Sequence, residues 1–355
     1  MDVLTLYVDP SWRRAGWQHS PLLIPFWGNP IADNQPFWKE LFDRRGFDTG
    51  HYRLSDTPQE ADAVFMPYSH NYALALEPGL VDKAVETAKK LGKPLLIDGL
   101  GDVERAVPQG ALVLRYGGYR FAPEKNAIHI PPYADDLLEL YCKGELQLRQ
   151  KGDKAVVGFA GWASLSLVQE LRAIAKELPT RLKSLIDSHY RACKKGIFFR
   201  RQAIQILRAS SAVVSNFIVR DSFSANRHTM SGKPEDLQRE FVDNLLSSDY
   251  GLCIRGDANA SVRLYETLSL GRIPVILDTE CILPFVEVVD YKQFALIVDF
   301  RDIQKLPERI AEFHAQLSNE QFIAMQKAAR EAYVKHFRVD AVMPHIVQEF
   351  SKLIM

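Results

Sequence analysis

Residues 250–277, YGLCIRGDANASVRLYETLSLGRIPVIL, constrain the chain more than any other stretch. Tyr250–Ile254 is a short apolar run of buried-strand type. Gly256–Ser261 is a turn of small residues, and a helix opens on Val262-Arg263-Leu264-Tyr265-Glu266. Gly271 ends that helix, and the strand Ile273–Leu277 follows at once. A strand, a turn, a helix and a second strand in this order place a helix N-terminus at the mouth of a parallel sheet. Its free N–H groups and positive dipole end suit a phosphate. Arg263 and Glu266, three apart, share a helix face. The arginine suits a diphosphate and the carboxylate a pair of ribose hydroxyls. The GxxxxGK[ST] pattern of a P-loop is absent.

The same residues resemble the exostosin family (glycosyltransferase family 47). The resemblance rests on Ser248, Leu252-Cys253, Arg255-Gly256-Asp257, Ser261, Arg263-Leu264, Glu266, Gly271, Ile273-Pro274-Val275-Ile276, Leu283-Pro284-Phe285, Asp290-Tyr291 and Phe294. A weaker echo lies near the N-terminus, in Thr57-Pro58-Gln59-Glu60-Ala61-Asp62, Phe65 and Pro67-Tyr68, and in Ile130-Pro131-Pro132. The resemblance implies an α/β chain of GT-B type, with two Rossmann-like domains facing across a cleft and a C-terminal helix crossing back to the first. It also implies an inverting transfer from a nucleotide-sugar donor, a UDP-sugar by family habit, to a saccharide hydroxyl.

Composition narrows the partners. The chain has 355 residues, enough for two cores. Forty-four basic and forty-four acidic residues cancel, which gives no global support to nucleic-acid binding. Cys142, Cys193, Cys253 and Cys281 show no metal-like spacing and read as reduced thiols of a cytoplasmic protein. No apolar run approaches the ~18–20 residues that span a bilayer. The family's animal and plant members carry a membrane anchor. The expectation here is a bacterial-type cytoplasmic enzyme, peripheral at most to the inner membrane face, with a glycan or lipid-linked saccharide as acceptor.

Apolar runs at Val3–Val8, Ala63–Met66, Pro94–Ile97 and Leu112–Leu114 read as strands, and Val81–Lys90 as a helix ended by Gly92. A charged stretch from Leu137 to Lys154 marks the domain boundary. Residues 1–150 form an acceptor-side domain, 151–335 a donor-binding domain, and 336–355 the returning helix. The second domain opens with the strand Ala155–Gly161 and the helix Leu165–Leu178. The last helical region opens at Ser318, three residues before Gln321 in a capping-box spacing, and Pro344 kinks or breaks it.

Beyond Glu266 and Arg263, the donor-binding candidates are Ser261, Arg255, Gly256, Asn259, Arg200 and Arg201. The two last form a basic pair read as preceding an apolar helix. The loop with Arg220, Arg227 and His228 is either solvated or a lid. Asp290 and Tyr291 read as loop anchors. No D-x-D, HxxxH or HExxH pattern occurs, so neither a metal nor a resident cofactor is expected, and the leaving charge falls to the helix end and arginines. His70, Asp98 and Asp102 are the candidates for a catalytic base, because each follows a first-domain strand. Two rival readings stay open: a nucleotide-sugar epimerase of the same fold, and a catalytically silent subunit that binds donor or glycan within a synthase complex.

Overall fold

A computed structural model of the chain describes residues 3–31, 35–221 and 233–354. Two parallel sheets organise it. The first contains β1 (Leu4–Tyr7), β2 (Tyr52–Ser55), β3 (Ala63–Phe65), β4 (Leu95–Asp98), β5 (Leu112–Arg115) and β6 (Ala127–His129), in the order β2-β1-β3-β4-β5-β6. The second contains β7 (Val156–Trp162), β8 (Val214–Arg220), β9 (Tyr250–Cys253), β10 (Ile273–Asp278) and β11 (Leu296–Asp299), in the order β11-β10-β9-β7-β8. In each sheet the strand order reverses once, between β1 and β3 and between β7 and β9. Such switch points are where open α/β sheets bind ligands.

The helices of the first half are α1 (Ile24–Trp27), α2 (Pro36–Arg44), α3 (His70–Leu76), α4 (Gly79–Leu91) and α5 (Leu137–Cys142). Those of the second are α6 (Leu167–Ile186), α7 (Gly196–Ala209), α8 (Pro234–Leu246), α9 (Val262–Ser269), α10 (Leu306–Gln316), α11 (Asn319–Ala332) and α12 (Met343–Ile354). α4 stops where Gly92 takes a left-handed φ of 63°. Ser318 and Gln321 form the capping box that opens α11. Arg272, 1% exposed, donates to the carbonyls of Leu245 and Leu246 and so closes the C-terminal end of α8.

The chain from Ser318 onward is not one kinked helix. α11 ends at Ala332, a wider-wound turn spans Tyr333–Phe337, and α12 starts afresh at Met343. Pro344 falls in the first turn of α12, where its missing N–H costs nothing. The break therefore precedes the proline. α12 then buries Met343, Ile346, Val347 and Phe350, the i, i+3, i+4, i+7 face. These side chains join the first-domain core of Leu4, Phe65 and Leu114. The fold is thus GT-B: two Rossmann-like halves, with the final helix returned to the first.

Several polar contacts pin the halves together, Arg120 on Asp278 among them, and the most buried centres on Asp136. Asp136, 3% exposed, caps α5 by accepting from the Glu139 N–H at 3.3 Å. It also takes Nη1 and Nη2 of Arg330 at 2.6 and 2.9 Å, with Arg338 at 3.5 Å. Arg330 donates in turn to the Ser269 carbonyl at the end of α9, at 2.8 Å. Removing one partner of a buried cluster leaves uncompensated charge. Asp136→Ala is therefore expected to cost about 3–5 kcal/mol in urea unfolding, whereas Asp302→Ala, at an exposed pair with Lys305, should leave the unfolding midpoint almost unmoved.

Candidate functional site

The second-sheet crevice opens between the carboxyl ends of β7 and β9. Arg200 spans it from α7, donating through Nη1 to the Trp162 carbonyl at 3.4 Å and through Nη2 to the Ile254 carbonyl at 3.3 Å. Arg255, 5% exposed, reaches the Lys194 carbonyl at 2.5 Å and lies over the Tyr119 ring. Arg263, second residue of α9, donates to the Ala160 carbonyl at 2.8 Å and rests 4.3 Å from the centre of the Phe159 ring. The Nε of Arg255 and of Arg263 are buried without a partner. Among the described residues, no carboxylate lies within 4.0 Å of these three guanidinium groups.

Burial pushes the Arg200 guanidinium down to about 9, Arg263 and Arg255 push the same way, and Asp257 and Asp102 oppose. Burial likewise lowers Arg263, with Glu266 opposing. Three cations held this close, and dehydrated, form a ready counter-surface for a polyanion.

Glycines away from the quoted signature make the crowding possible. A Cβ on Gly196, first residue of α7, would collide with the carbonyl oxygens of Arg255 and Gly256. One on Gly161 would strike the Arg263 guanidinium, and one on Gly117 the Asn259 carbonyl. Gly256 itself is under no such pressure: its nearest foreign atom would be Arg200 Nη2, at 3.7 Å. The close helix-to-loop packing at this turn thus rests on Gly196, a residue outside the sequence candidates.

The other sequence candidates separate. Ser261 holds the N-cap position of α9 but makes no capping bond with its side chain. Asn259, 2% exposed, spends its amide on the Gly118 and Thr279 carbonyls and its oxygen on the Thr279 hydroxyl, so it fastens the turn. Arg200 and Arg201 lie within α7 and not before it, because the helix starts at Gly196. Neighbours on a helix diverge by about 100°, and Arg201 turns away to pair with Glu170 at 2.9 Å. Asp290 caps a short turn and Tyr291 donates to the Pro284 carbonyl, both as loop anchors. Arg220 donates to Leu237 and Glu240 at the start of α8. Arg227 and His228 lie outside the described residues.

Glu266 is half-buried, and among the described residues its carboxylate has neither a hydrogen bond nor an ion pair. Arg263 does not reach it as an i,i+3 salt bridge, since that guanidinium is committed to β7. Burial raises the Glu266 carboxyl to about 7, Arg263 pulls it down and Asp135 adds to the rise.

Across the cleft, the three base candidates differ sharply. His70 is 2% exposed, with Nε2 against the Ala106 carbonyl, and Asp98 is 1% exposed and accepts from the Leu100 N–H. Burial takes both out of reach of an acceptor. Asp102 keeps solvent access while being partly shielded by its surroundings: that partial burial and Asp257 raise its carboxyl, and Arg200 lowers it. Glu104, not singled out from sequence, senses Arg255 in the same way. Both stand in the loop after β4, which carries no motif. Among the described residues, no three His, Cys, Asp or Glu side chains converge as metal ligands.

The raised Glu266 carboxyl has a sign-definite consequence for stability. The folded state binds this proton more tightly than the unfolded chain, so stability is present below the ordinary carboxylate pKa and lost as pH rises through about 7. Glu266→Gln should therefore melt about 2–4 °C higher than the parent at pH 8 and level with it at pH 4, as read by thermal scans.

Residues 196–313 match the Exostosin GT47 domain. The Caenorhabditis elegans Exostosin-1 homolog is 29% identical over 116 residues, 32% of this chain and 29% of that protein. A probable glucuronoxylan glucuronosyltransferase of Arabidopsis thaliana is 33% identical over 104 residues, 28% of this chain and 20% of that protein. The chain thus matches less than a third of the length of these curated relatives. Among solved structures, Anabaena Alr3699/HepE in complex with UDP aligns over 99% of this chain and 100% of its own, at 12% identity and a TM-score of 0.39. The match to the domain begins at Gly196, the residue that sets α7 against the arginine cluster, and it takes in all of α9. What the comparisons place on the chain is therefore a likeness to the exostosin GT47 domain, carried by residues 196–313.

Proposed function

We propose that the chain is a glycosyltransferase that moves a sugar from a nucleoside-diphosphate donor, preferentially a UDP-sugar, to a saccharide hydroxyl, with inversion and without a metal. One observation carries the reading. Arg200, Arg255 and Arg263 converge at the β7/β9 switch point, and among the described residues none of them has a carboxylate within ion-pairing distance. A diphosphate supplies the missing charge, and the α9 N-terminus adds N–H donors. Glu266, one turn further along α9, has a free carboxylate to accept from two ribose hydroxyls.

In this reading the acceptor hydroxyl gives its proton to Asp102 and its oxygen attacks the anomeric carbon. The bond from that carbon to the diphosphate oxygen breaks on the opposite side, and the leaving charge collects on the three guanidinium groups. A raised carboxyl pKa suits Asp102 as a base near neutrality.

The direct test is calorimetric titration with UDP, GDP, CMP and dTDP in EDTA. One diphosphate should bind at micromolar level, and Glu266→Ala should weaken it at least about tenfold. No binding by any of the four would overturn the reading. Because the cluster lacks a counter-charge, Arg200→Met should leave the melting temperature of the free protein unchanged or higher while weakening nucleotide binding about tenfold or more. Asp102→Asn should lower kcat by about 10²–10⁴-fold with donor affinity retained. An epimerase would turn over donor with no acceptor, and a silent subunit would bind donor without product, so product analysis separates all three.

A further inference from the structure

The helix α6 wears its apolar side outward. Leu167, Leu171, Leu178, Leu182, Leu185 and Ile186 are 81%, 68%, 54%, 56%, 81% and 93% exposed. At 3.6 residues per turn they fall within about 100° of the helix circumference, as a continuous stripe about 30 Å long. A helix of a folded domain normally turns such a stripe to the core. Here the inward side is instead Ala173 and Glu177.

Charge on this helix is sorted as sharply as hydrophobicity. Arg172, Lys176, Arg181 and Lys183 are exposed and border the stripe on both sides. The two glutamates turn inward: Glu170 pairs with Arg201, and Glu177 is 5% exposed, bonded to Arg181 and the Lys195 N–H. No exposed carboxylate therefore remains on α6. A cavity of about 360 Å³ at its inner edge is lined by Arg181, Arg191 and Lys194 together with the buried Glu177, and by Arg301, which is paired with Glu280 and Asp299.

We propose that α6 is a docking surface for an anionic lipid bilayer, lying in the interface with its leucines among the acyl chains and its cations at the headgroups. The apolar face gives the insertion, and the flanking cations give attraction to negative lipid. No described helix is long and apolar enough to cross a membrane, so α6 rests on the surface. Self-association fits less well, because a two-fold pairing of two such stripes would bring cationic borders against each other. The proposal does not depend on the donor reading, since α6 contributes no side chain to the arginine cluster.

The test is co-sedimentation of the full chain with vesicles of phosphatidylcholine alone and of phosphatidylcholine with about 30% phosphatidylglycerol. Binding is expected to the anionic vesicles, much weaker to the neutral ones, and reduced by added salt. Two double variants, Leu178→Glu with Leu182→Glu and Lys176→Glu with Lys183→Glu, should each lower partitioning about tenfold or more while retaining far-UV circular dichroism. No binding of the parent chain to either vesicle overturns the proposal. So does binding that survives both double variants. A dimer seen by light scattering, dispersed by the leucine variant and unaccompanied by vesicle binding, would reassign the stripe to a second copy. UDP titration of the same samples reports the donor site separately.

Discussion

Three guanidinium groups share the β7/β9 crevice without a carboxylate of the described residues within ion-pairing distance, and much of the second domain is arranged around that fact. Dehydrated like charges repel, so the cluster persists only because other groups hold it. Carbonyls of Ala160, Trp162, Ile254 and Lys194 take the N–H donors, and the Phe159 and Tyr119 rings lie beneath two of the cations. Glycines at 117, 161 and 196 keep side chains out of the remaining space. An arrangement that gives up an ordinary salt bridge at three neighbouring positions is poor as pure scaffolding. It is well suited to receiving a multiply charged anion.

The same segment serves two masters. One face of α9 carries Arg263 and Glu266 toward the crevice. The other buries Leu264, Tyr265 and Leu268 in a core that runs without interruption into the first domain through Phe285, Phe337 and α12. Tyr265 meets Phe337 edge-on, and Asp136 ties the end of α9 to α5 through Arg330. α9 and the first domain are thus coupled by direct packing. The loop after β4 lies close enough for the charges of Arg200 and Arg255 to act on Asp102 and Glu104.

Sequence and structure agree best where the information is local. Residues 250–277 fold as β9, a turn, α9 and β10 at nearly the expected boundaries, since apolar runs, a small-residue turn and Gly271 all act over short distances. The strands not read directly, β2, β8 and β11, are sheet edges, and β6, glimpsed only through Ile130-Pro131-Pro132, is a fourth. An edge strand is half solvated, and β2 (YRLS) and β8 (VSNFIVR) accordingly lack the continuous apolar run of a central one, whereas β11 keeps one in Leu296-Ile297-Val298. Side-chain commitments were equally hidden. Arg201 and Arg200 look alike in a row of letters, and only the helix phase of α7 sends one to the crevice and the other to Glu170. The burial of His70 and Asp98, and the outward stripe of α6, depend on which surfaces meet, and periodicity alone does not report that.

The central claim is that the arginine cluster at the β7/β9 switch is a diphosphate site read out by Glu266. A crystal structure of the chain with bound UDP tests it most directly. The account predicts both phosphates within hydrogen-bonding distance of Arg200 and Arg263 at the start of α9, and the ribose hydroxyls on the Glu266 carboxylate. A nucleotide seated instead at the β1/β3 switch of the first domain, with the three arginines left bare, would contradict it.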